Sequence, residues 1–153
     1  MRFAGIRTRS AGPDDGDFIF ATRRSTFRAY VERISGWDDT QQRAATNEEL
    51  GRLPFEIVEE WGDPIGYLCV LHQEDLDFLE ELALVPQAQG RGIGTHLLRR
   101  ILEKAHRRRV PVRLSVFADN PARNLYARLG FGVVGGEHPR VTMEWHAGEL
   151  SGS

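Results

Sequence analysis

Apolar positions along the chain follow two periods. Between Gly92 and Arg109, Ile93, Leu97, Leu98, Ile101, Leu102 and Ala105 fall at i, i+4, i+5, i+8, i+9 and i+12, one face of a helix, while Arg99, Arg100, Glu103, Lys104 and Arg107 take the other face. A looser helical series runs through Phe18, Ile19, Ala21, Thr22, Thr26, Ala29, Tyr30 and Ile34. It opens at Pro13 with Asp14, Asp15 and Asp17, acids that the positive end of a helix favours, and stops at Ser35-Gly36. A second helix is expected from Asp38 or Asp39 towards Leu50, and a short one over Pro121 to Leu129, closed by Gly130. Strands are expected at Ile6–Arg9, Phe55–Glu59, Ile65–Leu71, Leu76–Val85 and Val112–Phe117, then around Val133 and over Val141–Trp145. Trp61-Gly62-Asp63-Pro64 reads as the turn between the second and third strands. This mixture predicts an α+β or α/β fold around a mixed sheet, as one continuous domain over residues 1–146. Residues 147–153, small and polar, are expected to be a flexible tail.

Composition narrows the function classes. The 153 residues carry 20 Lys plus Arg against 22 Asp plus Glu, a formal charge of −2, so no global field calls for nucleic acid. The dense basic stretch at Arg99, Arg100, Lys104 and Arg107 to Arg109 is read as a solvated helix face interrupted by Glu103. The longest uncharged run, Pro64 to Gln73, is far shorter than the roughly 20 residues that span a bilayer, so neither a membrane span nor an export signal is expected and a cytoplasmic protein is. Cys69 is the only cysteine and sits in an apolar run, which predicts a buried thiol. His72, His96, His106, His138 and His146 have no metal-ligand spacing, so no metal is expected.

Candidate chemistry gathers where the expected strand ending at Val85 meets the amphipathic helix. The connection is Pro86-Gln87-Ala88-Gln89-Gly90-Arg91-Gly92-Ile93-Gly94-Thr95. Glycines at 90, 92 and 94 let backbone approach a ligand, and the unpaired N–H groups of the helix start offer an anion site, for which a phosphate or diphosphate is the natural guest. Thr95 stands where a dinucleotide fingerprint starting at Gly90 needs glycine, and no Gly-Lys-Ser/Thr is present, so neither standard nucleotide loop fits.

The loop Gln89-x-x-Gly92-x-Gly94 after Leu82-Ala83-Leu84-Val85-Pro86, with Asn120-Pro121-Ala122-Arg123-Asn124-Leu125-Tyr126-Ala127-Arg128-Leu129-Gly130-Phe131 downstream, resembles the GCN5-related N-acetyltransferase (GNAT) family. The likeness is specific from about Glu80 to Phe131, and Val141 to Trp145 resembles the closing strand of many bacterial members. It implies a three-layer α/β/α-like arrangement with a mixed, mostly antiparallel sheet splayed in a V. It also implies acetyl-CoA as co-substrate, with its diphosphate on the backbone of Gln89, Gly90, Arg91, Gly92, Ile93, Gly94 and Thr95 and its pantetheine arm along Leu84 and Val85. Direct transfer to an amine of a small molecule or peptide in a ternary complex follows from the same resemblance.

Further roles come with the resemblance. Tyr126 would protonate the departing thiolate, and Asn120 would hydrogen-bond the cofactor as well as cap its helix. A backbone N–H near Leu84 would stabilise charge on the carbonyl oxygen. A primary amine with a reference pKa near 10.4 is only about one part in 2,500 neutral at pH 7, so a base or a water must take its proton. Glu81 is favoured over Glu80, the two pointing to opposite sheet faces. The acceptor wall is expected near Trp37, Asp38 and Asp39, with Glu80 and His138 as further contacts. Two readings stay open there: Trp37 with the acids receives a cationic amine, or Trp37 packs under its loop while Asp38 caps a helix. The resemblance also allows a homodimer through the closing strands. The rival reading is a non-catalytic acyl-CoA-binding sensor that keeps the loop and lacks transfer.

Overall fold

Residues 2–147 are described by the computed structural model. Seven strands and four helices alternate along it: β1 Ile6–Ser10, α1 Gly16–Ile34, α2 Asp39–Leu50, β2 Phe55–Glu60, β3 Asp63–His72, β4 Asp77–Leu84, α3 Ile93–Arg108, β5 Val112–Phe117, α4 Ala122–Arg128, β6 Gly132–Gly135 and β7 Arg140–Trp145. The strands are hydrogen-bonded in the order β1-β2-β3-β4-β5-β7-β6. β4 and β5 run parallel, whereas β1/β2, β2/β3, β5/β7 and β6/β7 are antiparallel. The sheet is therefore mixed, as expected, and the parallel pair needs the long crossover that α3 provides.

Contacts divide the chain into two compact units that cut across β3 and β4. The first takes the chain through Cys69 and then Glu81–Gly94; the second takes Val70–Glu80 and the chain from Thr95 on.

In the first unit, β2 and β3 meet in register Phe55↔Cys69 and Ile57↔Tyr67, with a bulge between Val58 and Glu59. Phe55, Ile57, Val58, Tyr67 and Cys69 are all buried. The hairpin turn is tighter than Trp61-to-Pro64: β3 already begins at Asp63, and Trp61 (φ 51°) and Gly62 (φ 90°) alone make the reversal. Two consecutive positive φ angles match the twist of the flanking strands, which is why a two-residue loop suffices. The expected first helix starts three residues late, because Pro13–Asp15 form a 3-10 turn before α1.

In the second unit, α3 buries Leu97, Leu98, Leu102 and Ala105, with Ile101 half-buried and Arg99, Arg100, Glu103, Lys104 and Arg107 exposed. That is the face the spacing predicts, and each large apolar side chain removed from water contributes roughly 1.5–3 kcal/mol. β5 and β7 add Val112, Leu114, Met143 and Trp145 to this core. Asp77, fully buried at the start of β4, accepts through Oδ1 from Arg108 at the end of α3 and pairs there with Nδ1 of His72 at 2.8 Å, while its Oδ2 has no hydrogen-bond partner among the described residues and Arg108 also donates to the Gln73 carbonyl. The isolated Val133 signal resolves into the four-residue β6, whose Val133 and Val134 are exposed. Of the expected tail, residues 148–153 lie outside the described residues.

Candidate active site

The glycine-rich connection is built from the end of β4. Val85 donates its N–H to Ile65 O on β3 at 2.9 Å, so the N–H and C=O of Leu84 point to the opposite edge. There Leu84 O accepts the side-chain amide of Gln89 at 3.0 Å, which ties the loop back to its strand. Pro86–Ala88 make a 3-10 turn that buries Ala88. Gly90 (φ 73°) and Gly92 (φ 84°) then lie in the left-handed region, where glycine carries no steric penalty, and the space beside Gly90 is open. Left-handed residues leading into a helix turn successive N–H groups towards a common concavity, and the first four N–H groups of α3 have no partner inside the helix. The arrangement fits a diphosphate. On the outside of the loop, the Arg91 guanidinium grips the Glu60 carboxylate at 3.0 and 2.5 Å and holds that carboxyl below its ordinary range.

Glu81 lies in the same unit, inside a charged cluster. Arg23 of α1, only 8% exposed, donates through Nε to Glu81 Oε2 at 3.2 Å and through Nη2 to Oε1, while its Nη1 reaches Thr46 Oγ1 at 3.0 Å and Glu49 Oε2 at 2.7 Å. The Tyr67 hydroxyl donates to Glu81 Oε2 at 2.5 Å. Burial, reinforced by the Glu81 charge, pushes the Tyr67 phenol well above its usual pKa, so it stays a donor. Burial works against the Arg23 charge, but its bonds to Glu81 outweigh this and keep the guanidinium protonated. Both carboxylate oxygens of Glu81 are thus engaged, by the Arg23 guanidinium and the Tyr67 hydroxyl.

Arg23 is the structural centre of this cluster. Arg23→Met is expected to leave Glu49 and Glu81 without their cation and to lower the free energy of unfolding by about 3 kcal/mol. Urea denaturation reads this directly, and a loss below about 1 kcal/mol would mean that water already neutralises the pair.

The segment after α1 follows the capping alternative. Asp38 Oδ1 accepts the Gln41 N–H at 3.1 Å as the N-cap of α2. Asp39 accepts the Trp37 indole N–H at 2.6 Å and binds Arg24 at 3.1 Å, which lowers its pKa. Trp37 is half-buried, its ring 6.5 Å from that of Phe20.

The second unit holds the remaining candidates. Asn120 Oδ1 accepts the Ala122 N–H at 2.9 Å in an Asx turn just before α4, whose N-cap is Pro121 and not Asn120 as expected, and this leaves the Asn120 side-chain amide N–H groups for a ligand. Beside it is a cavity of about 450 Å³ lined by Asn120, Arg123, Asn124, Phe131 and Met143 among others. Tyr126 packs its ring 5.7 Å from Phe131, and burial raises its phenol pKa. Thr95 is half-buried in the first turn of α3, and Glu80 and His138 are exposed.

Residues 17–131 match the model of the acetyltransferase (GNAT) family. The chain belongs to the GNAT family. The matched segment contains the glycine loop, the Glu81 cluster and α4 through Phe131, and it excludes His138. The chain is 32% identical over 139 residues to the mycothiol acetyltransferase of Mycolicibacterium smegmatis, with 84% of this chain and 47% of that protein covered. It therefore spans about half the length of that curated relative. Among solved structures, the PaiA N-acetyltransferase of Thermoplasma acidophilum in complex with coenzyme A aligns at TM-score 0.72 and 17% identity over 92% of this chain and 98% of that one. An acetyltransferase of Thermus thermophilus aligns at TM-score 0.73 and 18% identity over 95% and 99%. At these identities the two structures establish the GNAT fold.

Arg23, Glu49 and Tyr67 are the polar residues of this GNAT chain that sequence reasoning missed. Arg23 directly follows Thr22 on the buried side of α1, and an arginine on an inward helical face was the one available signal of a buried partner.

Proposed function

We propose that this chain binds acetyl-CoA and transfers its acetyl group to the primary amine of a small molecule or peptide, directly and within a ternary complex. The observation that carries the reading is the left-handed Gly90 and Gly92 pair opening into the α3 N-terminus, set in a chain of the GNAT family. Backbone N–H groups from Gln89 to Thr95 hold the diphosphate. The co-substrate supplies an acyl group activated as a thioester. The free edge of Leu84 presents an N–H donor, fixed before the reaction, to the oxygen on which charge develops. A water oriented by Glu81 takes a proton from the acceptor ammonium, the freed lone pair forms the C–N bond at the thioester carbonyl, and as the C–S bond breaks Tyr126 donates its phenolic hydrogen to the departing sulfur. Asn120 steadies the cofactor with its free amide.

The chemical environment of Glu81 supports a cationic acceptor, because Glu49 and Glu81 carry two negative charges against the single positive charge of Arg23. Asp38 and Asp39 are already engaged, so Asp38→Asn with Asp39→Asn is expected to leave the KM for cationic amines within about twofold, Asn being as good an N-cap as Asp. A KM rise beyond about tenfold would return these two acids to the acceptor site. Colorimetric detection of released CoA thiol over a panel of polyamines, amino sugars, peptide N-termini and the acceptor of the mycothiol enzyme tests the activity. Turnover with intersecting initial-rate lines is expected. Tight CoA binding with no turnover on any acceptor would favour the sensor reading.

A further inference from the structure

We propose that Arg2 and Phe3 form an arm that positions the phosphate-binding loop from outside, with Arg2 as a positioning residue for the coenzyme's diphosphate; this rests on the cofactor reading above. Arg2 Nη2 donates to Arg91 O at 2.8 Å. Across a planar trans peptide the C=O and the following N–H point in opposite directions, so a donor that captures Arg91 O from one side aims the Gly92 N–H to the other. The arm stands on the side of Gly92 where a side chain would project: a Cβ there would lie 3.4 Å from Phe3 Cζ and 3.5 Å from Arg2 Nη2.

The arm is itself held. Arg2 lies over the Phe3 ring, 5.3 Å from its centroid, and Phe3 O accepts the Ile6 N–H at 3.0 Å. Gly5 O accepts the Trp61 N–H at 2.9 Å, and the Trp61 indole covers Gly5 so closely that a Cβ there would sit 2.3 Å from Trp61 Cε2. The β2–β3 hairpin thus supports the arm through Trp61, and the same hairpin supports Arg91 through Glu60. A loop with two left-handed glycines has more conformations to lose on binding than any other backbone, so bracing it before the ligand arrives raises affinity without a new ligand contact. Residues 2 and 3 lie outside the segment that matches the family model.

Calorimetric titration of the full chain with CoA is the test, using Arg2→Ala and Arg2→Lys beside wild type, with the split between KM and kcat and the melting temperature as further readings. Arg2→Ala should raise the Kd for CoA about tenfold and the KM for acetyl-CoA in parallel, and leave kcat and the melting temperature unchanged. Arg2→Lys, which keeps one donor for Arg91 O, should recover affinity to within about threefold of wild type. Wild-type affinity in Arg2→Ala would overturn the arm and leave the cofactor reading standing. Equal losses of kcat, melting temperature and affinity would also overturn it, marking Arg2 as merely structural. No CoA binding by folded wild type would overturn both.

Discussion

Tyr126→Phe is expected to lower kcat by about 10²- to 10³-fold while leaving the Kd for CoA within about twofold. The substitution removes one oxygen from a ring that stays packed beside Phe131, so neither the fold nor the coenzyme's phosphate contacts change. Burial raises the Tyr126 phenol pKa because the phenolate would be poorly solvated. The sign is favourable for an acid: the proton stays on through neutral pH, and is lost only as pH rises beyond the ordinary tyrosine value of about 10. The hydrogen bond from this phenol strengthens as charge builds on sulfur, because the sulfur becomes the stronger acceptor, and the proton follows. Wild type should therefore show an alkaline decline of kcat above about pH 10 that Tyr126→Phe lacks. Steady-state kinetics over pH separates the two proteins, and equal losses in turnover and coenzyme affinity would refute the acid role.

Where the physics is local, the sequence spells it out. The spacing of Ile93, Leu97, Leu98, Leu102 and Ala105 foretells which face of α3 is buried, because a helix repeats its own geometry regardless of its neighbours. Gly90 and Gly92 announce their loop for the same reason, since a left-handed backbone calls for glycine wherever it occurs. The Asp38 cap was readable as one of two alternatives, and only the folded geometry, with Gln41 N–H on Asp38 Oδ1, chooses between them. Residues that act through distant partners were not readable. Arg23 meets Glu81 across 58 residues, Arg91 meets Glu60 across 31, and Arg2 meets Arg91 across 89. Their pairing depends on strand register and helix placement, which no periodicity encodes. Glu81 was therefore legible as a carboxylate on a strand, but not as one already held by an arginine and a tyrosine.

The second large effect concerns Gly92. At φ 84° a β-branched side chain is strained by about 1–3 kcal/mol, although its Cβ would meet Phe3 and Arg2 only at ordinary contact distance. Gly92→Val should escape by leaving the left-handed region, which rotates the flanking N–H groups out of convergence. The Kd for CoA is then expected to rise at least about 100-fold. Gly36→Val supplies the matched control: Gly36 also has a positive φ, 81°, with open space around it, and lies in the connection between α1 and α2.

The most direct measurement is a calorimetric titration of wild type, Gly92→Val and Gly36→Val with CoA, with circular dichroism to verify that all three are folded. Wild-type and Gly36→Val proteins that bind CoA with similar affinity, beside a folded Gly92→Val protein that does not, are the predicted result. Undiminished binding in folded Gly92→Val would contradict the placement of the diphosphate on this loop, and no binding by folded wild type would contradict the account as a whole.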